Sequence, residues 1–147
     1  RREDAHYRKI LNEADLIEKL TKRGFKILNP HHFEILEQMK IFSEADLIIS
    51  PHGSNLSNII FCKKNTKIIE IAPIFNKPYE INISNRYKQL SAISNLHYSK
   101  INADSVDTIK HSKIAEKYIS KKILNESNYY KNIILKINEI DNLLNTM

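Results

Sequence analysis

Short, continuously apolar runs alternate with segments whose hydrophobic residues recur at helical spacing through most of this chain. The apolar runs predict strands at residues 25–28, 46–50, 66–71 and 97–101. The helical spacing predicts helices at residues 12–23, 33–42, 55–61 and 80–94. Because short apolar strands that alternate with helices are typical of a parallel sheet covered on both faces, we expect an α/β fold, three-layered and Rossmann-like, over residues 1–104.

Local signals set both ends of the first of these helices. Asn12 is a plausible N-cap for the first helix, and Gly24 follows Lys22 and Arg23 as a C-terminal stop. In the second helix we expect Leu36 to face the core.

Residues 105–147 contain no glycine or proline and show helical spacing throughout. The pattern predicts two helices with a break near residues 125–128. We expect this helical C-terminal extension to pack on the α/β body. A coiled coil or a partner-docking helix is the alternative, although the apolar spacing is irregular for a heptad.

The pentapeptide Glu-Ala-Asp-Leu-Ile occurs twice, at residues 13–17 and 44–48. Its first copy lies in a segment with a helix period, and its second copy precedes an apolar run. We therefore expect the first copy to be helical and the second to pass from a turn into a strand.

Composition narrows the classes of function. The 147 residues carry a formal charge of +6, and the middle third holds most of the excess, since residues 51–100 contain seven basic but only two acidic residues. Such a surplus favours an anionic ligand, a membrane surface or nucleic acid, but no aromatic RNA-binding motif supports nucleic acid. The single cysteine, Cys62, excludes an internal disulfide. No apolar run is long enough to span a membrane, so we expect a soluble, cytoplasmic protein with at most peripheral membrane association.

One predicted loop after a strand has unusual chemistry. Residues 49–58 include Gly53, one of only two glycines, followed by Ser54, Asn55 and the start of a predicted helix. A glycine there permits positive φ and close ligand approach, and a helix N-terminus favours a diphosphate. His52 can donate to a phosphate oxygen or act as a base. The alternative is a capped turn with an exposed histidine. No dinucleotide or Walker motif is present.

Two further groups of residues are candidates. Glu70 lies in an apolar strand, where a buried carboxylate needs a partner such as ligand hydroxyls or, alternatively, a structural salt bridge. The second group is an amino-terminal cluster of Arg1, Arg2, Arg8, Asn12 and Glu13. Its arginines suit phosphate oxygens, although a solvated terminus is the simpler interpretation. The two histidines at residues 31–32 could bind a metal, but no third ligand lies at the spacing of a metal site. The sequence also has no closely spaced pair of aspartates of the kind that binds a divalent metal.

In this order, the motifs resemble glycosyltransferase family 61. The matching positions are Arg2, Arg8 and Asn12-Glu13, then Gly24-Phe25, then Glu37-Gln38 with Phe42 and Ala45, then His52-Gly53 with Asn58 and Phe61, and last a strand ending in Glu70. The resemblance covers roughly residues 1–100. The family includes bacterial polysaccharide-synthesis proteins. The composition, which is rich in Ile, Asn and Lys, also suggests a bacterial source.

The resemblance implies the carboxyl-terminal, donor-binding half of a GT-B enzyme that inverts the sugar configuration without a catalytic metal or other cofactor. The donor would be a nucleotide-diphosphate sugar, linked to UDP, and the acceptor a glycan or polysaccharide held mainly by a missing amino-terminal domain. The implied diphosphate contacts are Arg2, Arg8, His52 and the helix that begins near Ser54; Glu70 would hold the ribose, and Gln38 and Asn58 would contact or support the donor. The remaining alternatives are a non-catalytic nucleotide-binding or interaction domain and a basic α/β protein that binds anions or RNA.

Overall fold

The computed structural model describes residues 8–107 and 117–146. Within them, the α-helices are α1 (Glu13–Lys22), α2 (Ile35–Glu44), α3 (Ile81–Ile93), α4 (Lys121–Glu126) and α5 (Ile137–Thr146). The strands are β1 (Leu47–Pro51), β2 (Lys67–Pro73), β3 (His97–Val106) and β4 (Asn132–Ile134). Short 3₁₀ helices cover Pro30–His32, Ser54–Phe61, Pro78–Glu80 and Asn128–Tyr130.

The four strands form one mixed sheet in the order β1-β2-β3-β4. β1, β2 and β3 run parallel, with Ser50 paired to Glu70 and Glu70 paired to Lys100, whereas β4 is antiparallel to β3. The α/β class and a parallel arrangement of the central strands are therefore confirmed, but the sheet is not wholly parallel.

Helices cover both faces of this sheet. Alternate residues of each strand point to opposite sides, so each face has its own core. On one face Ile69 and Ile71 of β2 pack with Leu16 and Leu20 of α1 and with Ile140 of α5. On the other face, the core residues are Phe42, Leu56, Ile59, Ile68, Tyr87 and Leu96. Glu70 of β2 lies on this second face, two residues after Ile68.

The expected strand at residues 25–28 is wrong. This segment is irregular, and it lines a cleft together with the edge strand β1 instead of pairing with it. A strand requires a neighbouring backbone to pair its N–H and C=O groups, and an apolar run alone does not supply one. Leu36 is also misassigned: it lies in the first turn of α2 and is 74% exposed, whereas Phe42 is the buried residue of that helix.

The expected helix across residues 130–134 is also wrong. Ile133 is fully buried, Ile134 is 41% exposed and Leu135 is buried again, which is the alternation of a strand. β4 forms because Asp104, Ser105 and Val106 of β3 offer a free edge. The break near residues 125–128 is confirmed, since α4 ends at Glu126. Much of the other expected helix, at residues 108–116, lies outside the described residues.

Two local predictions are confirmed. Gly24 has a φ of 84° just after α1, the left-handed conformation that a helix-ending glycine adopts. The two copies of the repeated pentapeptide lie in α1 and at the entry to β1, as expected. No helix among the described residues has the length and apolar character needed to cross a membrane.

Candidate functional site

A cleft of about 850 Å³ opens beside the edge strand β1 and reaches the loop that follows it. The carboxyl end of a parallel strand is where ligands bind in open α/β sheets. Six of the residues that were predicted to bind the donor line this cleft: Arg8, Gln38, His52, Gly53, Ser54 and Asn55. These residues, from three separate parts of the chain, therefore meet at one surface.

His52 is held at the end of β1 by an extension of the sheet, since its backbone N–H donates to the carbonyl of Ile71 at 2.7 Å. Its side chain is almost completely buried, at 4% exposure for the residue, so the expected alternative of an exposed histidine is wrong. The rings of Phe75, Tyr87 and Tyr129 meet the imidazole edge-on, with centroids 5.1 to 6.1 Å away. This aromatic surround fixes the plane of the ring.

Glu70 lies behind His52 and has no exposed surface. Oε1 of Glu70 is hydrogen-bonded to Nδ1 of His52, and the hydroxyl of Tyr98 donates to Oε2 at 2.5 Å. With Glu70 ionised, its oxygens only accept, so the proton of this hydrogen bond belongs to Nδ1, and Nε2, the other ring nitrogen, then carries none. Both carboxylate oxygens of Glu70 thus have partners inside the protein. The ribose contact expected of Glu70 stays a prediction.

The environment sets the protonation of these groups. Burial lowers the pKa of His52, an effect that outweighs the opposing influence of Glu70, and the positive charges of Arg8 and Lys100 lower it further. Burial raises the pKa of Tyr98, as do its hydrogen bond to Glu70 and that carboxylate's charge. The site at neutral pH therefore contains a neutral imidazole and a tyrosine that remains a hydrogen-bond donor.

Lys100 is a half-buried cation beside the site. Burial lowers the pKa of its ammonium group, against the opposing effect of Glu70. Its Nζ lies 3.3 Å from the hydroxyl of Ser84 and 5.0 Å from the centre of the Phe75 ring. Lys100 therefore contributes positive charge close to the Glu70 carboxylate.

The loop after His52 differs in detail from the sequence prediction. Gly53 has a φ of 168°, which is extended backbone, so the expected need for positive φ is wrong. A Cβ at Gly53 would meet no atom within 4 Å, and the Gly53 carbonyl accepts a 2.6 Å hydrogen bond from Tyr87. The expected helix is 3₁₀ and begins at Ser54. The first N–H groups of such a helix have no acceptor within the helix itself.

Arg8 reaches the cleft from the amino-terminal segment. Its guanidinium lies 4.1 Å above the ring of Tyr129, and Nη1 donates to the Tyr129 carbonyl at 3.2 Å. Its backbone has a φ of 59°, a strained conformation for a residue other than glycine. Arg1 and Arg2 lie outside the described residues.

Besides Glu70, two of the predicted residues do not line the cleft. Asn58 donates to Oε1 of Gln38 at 2.8 Å and thereby fixes that cleft residue, whose own amide donates to the Phe33 carbonyl. Asn12 exchanges two hydrogen bonds with the backbone of Leu135, at 2.8 and 3.0 Å. Asn12 therefore joins the start of α1 to the segment after β4, and the donor contacts expected of Asn12 and Asn58 stay predictions.

The sequence missed Tyr87, Tyr98, Lys100 and Tyr129 as parts of the site. Tyr98 and Lys100 alternate along β3, and they reach Glu70 only because the register pairs Lys100 with Glu70. Tyr129 comes from beyond residue 105 and is 77 positions from His52 in the chain. Neither the register of two strands nor a contact between residues so far apart in the chain leaves a signal in the local sequence. Within residues 8–107 and 117–146, no group of three potential metal-ligating side chains is present.

Residues 1–69 match the family model described as glycosyltransferase 61. The match confirms the resemblance of the motifs to this family and indicates a glycosyltransferase. It ends one residue before Glu70, so it covers Arg8, Gln38 and the loop from His52 to Asn58 but not the buried partners of His52. None of the curated proteins matches the chain.

Proposed function

We propose that this chain, assigned to glycosyltransferase family 61 through residues 1–69, binds the nucleoside diphosphate of a sugar donor in the cleft beside β1. The reaction is transfer of the sugar from a UDP-linked donor to a glycan hydroxyl. In this proposal the chain is the Rossmann-like, donor-binding half of a GT-B enzyme, and the acceptor and its general base belong to a further domain.

One observation carries the proposal. Arg8, His52 and the start of the 3₁₀ helix at Ser54 line the same cleft although they come from separate segments. An arginine fork and free backbone N–H groups are donors that phosphate oxygens accept from, and Nε2 of His52 becomes a third donor when the ring takes up a proton from solvent beside the bound diphosphate. The open space at Gly53 supports the same interpretation, because a ligand atom could approach the backbone there.

The same groups account for leaving-group stabilisation. As the bond from the sugar to the β-phosphate breaks, negative charge grows on the departing diphosphate. Preorganised donors aimed at that charge lower the barrier. Arg8 and the Ser54–Asn55 amides supply this stabilisation in a metal-independent, inverting transfer, and Gln38, fixed by Asn58, orients the donor.

Titration calorimetry with UDP tests the binding step. We expect saturable binding that EDTA does not change. Arg8→Ala should weaken it at least about 10-fold, because a charge-assisted hydrogen bond contributes about 1.5–3 kcal/mol. Arg23→Ala is the matched control, since Arg23 pairs with Asp141 at 2.9 Å and does not line the cleft.

Two results would contradict the proposal. One is the absence of UDP binding up to about 1 mM, the weak end of specific ligand affinity. The other is an equal loss in the Arg8 and Arg23 variants, which would show that charge in general, and not the cleft arginine, determines binding.

A further inference from the structure

Glu70 and Tyr98, which form the hydrogen-bonded chain behind His52, lie outside residues 1–69 that the family model matches. Glu70 and Tyr98 form a chain of hydrogen bonds that runs from β3 through β2 to the end of β1. Glu70 is completely buried, and it has polar partners at both oxygens. A buried carboxylate is costly unless it is compensated, so such an arrangement requires a reason to persist.

We propose that Glu70 is a positioning residue, which fixes His52 with Nδ1–H toward the sheet and Nε2 toward the cleft, and that Tyr98 in turn orients Glu70. The proposal rests on the proposed diphosphate site, because it assigns Nε2 of His52 as the atom that meets the ligand: Nε2 takes up a proton from solvent when the diphosphate binds, and the Glu70 carboxylate stabilises the resulting imidazolium. It also replaces a ribose contact at Glu70 with an action through the histidine.

The geometry supports this role in two ways. The Tyr98 hydroxyl holds Oε2, so rotation of the Glu70 carboxylate would break a 2.5 Å hydrogen bond. The rings of Phe75, Tyr87 and Tyr129 block rotation of the imidazole from three sides. Among the described residues, Nε2 has no hydrogen-bond partner, and His52 lines the cleft. A ring held in this way presents one defined nitrogen to a ligand.

The tautomer of His52 is measurable in the ligand-free chain by long-range ¹H–¹⁵N NMR. We expect the Nδ1–H form in the wild type. Tyr98→Phe removes a donor from Glu70 and makes its carboxylate a better acceptor, so the pKa of His52 should rise. Glu70→Gln removes the charge that favours protonation, so the pKa of His52 should fall.

These opposite signs separate positioning from a general structural role. Burial lowers the pKa of His52 in the intact protein, so simple loosening of the core would raise it in both variants. Glu18→Gln is the control for loss of a carboxylate charge away from the site, because Glu18 pairs with Lys22 on α1 and does not line the cleft. It should leave the tautomer unchanged.

Binding of UDP, 2′-deoxy-UDP and inorganic pyrophosphate then tests the link to the ligand. Positioning through His52 predicts that Glu70→Gln weakens all three by the same factor, roughly 10-fold. A loss confined to UDP would overturn the proposal in favour of a ribose contact. An Nε2–H tautomer in the wild type would overturn it outright. If the wild type binds no diphosphate, the proposed function fails, and the tautomer still decides the positioning.

Discussion

Glu80 is expected to hold together the wall of the site that comes from the carboxyl-terminal part of the chain. Its side chain is completely buried. Oε2 accepts from the backbone N–H groups of Asn76 and Lys77 at 2.9 and 3.0 Å, and Oε1 accepts from the hydroxyl of Ser127, which is itself fully buried. Ser127 directly precedes the 3₁₀ helix that carries Tyr129 to His52 and Arg8.

Glu80→Ala should reduce the free energy of unfolding by roughly 3–4 kcal/mol. The unsatisfied hydroxyl of Ser127 costs about 2 kcal/mol, since it is sealed from water. Each of the two amides adds about 0.5–1 kcal/mol, because Asn76 is exposed and water can replace part of the lost bond. This total is a large share of the 5–15 kcal/mol that a typical domain possesses.

Urea unfolding followed by circular dichroism measures the change. Glu126→Ala is the control. Glu126 forms a 3.4 Å ion pair with Lys77, and its side chain is 49% exposed. Loss of this ion pair should therefore cost less than about 0.5 kcal/mol. A double-mutant cycle of Glu80→Ala with Ser127→Ala should give a coupling energy of about 1 kcal/mol or more. If Glu80→Ala costs less than about 1 kcal/mol, or the coupling is absent, the hydrogen-bond reasoning is refuted.

Three further predictions concern separate parts of the chain. Asn12→Ala should cost about 1–3 kcal/mol in urea unfolding, because it removes both hydrogen bonds to the Leu135 backbone; a cost below about 0.5 kcal/mol would contradict this. The stability difference between wild type and His52→Gln should shrink from pH 7 to pH 5. The folded chain has the lower His52 pKa, so the unfolded chain takes up the proton first, and up to about 1.4 kcal/mol is lost per pH unit below about 6.5; a pH-independent difference would contradict it. Burial raises the pKa of the Cys62 thiol to about 11, so disulfide-reagent labelling at pH 7.5 should be roughly a hundredfold slower than that of an exposed thiol, and labelling at the same rate would count against it.

Local sequence was sufficient where the signal and its cause lie within one turn or one strand. Gly24 ends α1 in the left-handed conformation because its sequence position and backbone freedom both favour it. The loop from His52 to Asn55 was recognisable because polar residues and a glycine follow an apolar run. The family match depends on the same kind of short motif.

The tertiary structure determined which segments pair as strands and which pack against each other. Residues 25–28 have the composition of a strand and form none, while residues 132–134 have apolar residues at helical spacing and pair with β3. Propensities differ by about 1 kcal/mol or less per residue, so packing and strand pairing override them.

The same distinction between local sequence and tertiary structure applies to the candidate site. The sequence by itself determined the α/β class, the loop at the end of β1 and six residues of its cleft. Only the fold could show that Tyr98 reaches Glu70 through the register of β2 and β3, or that Tyr129 closes on His52 from 77 positions away. Contacts between distant segments follow from the packing of the whole chain, and no stretch of local sequence encodes them.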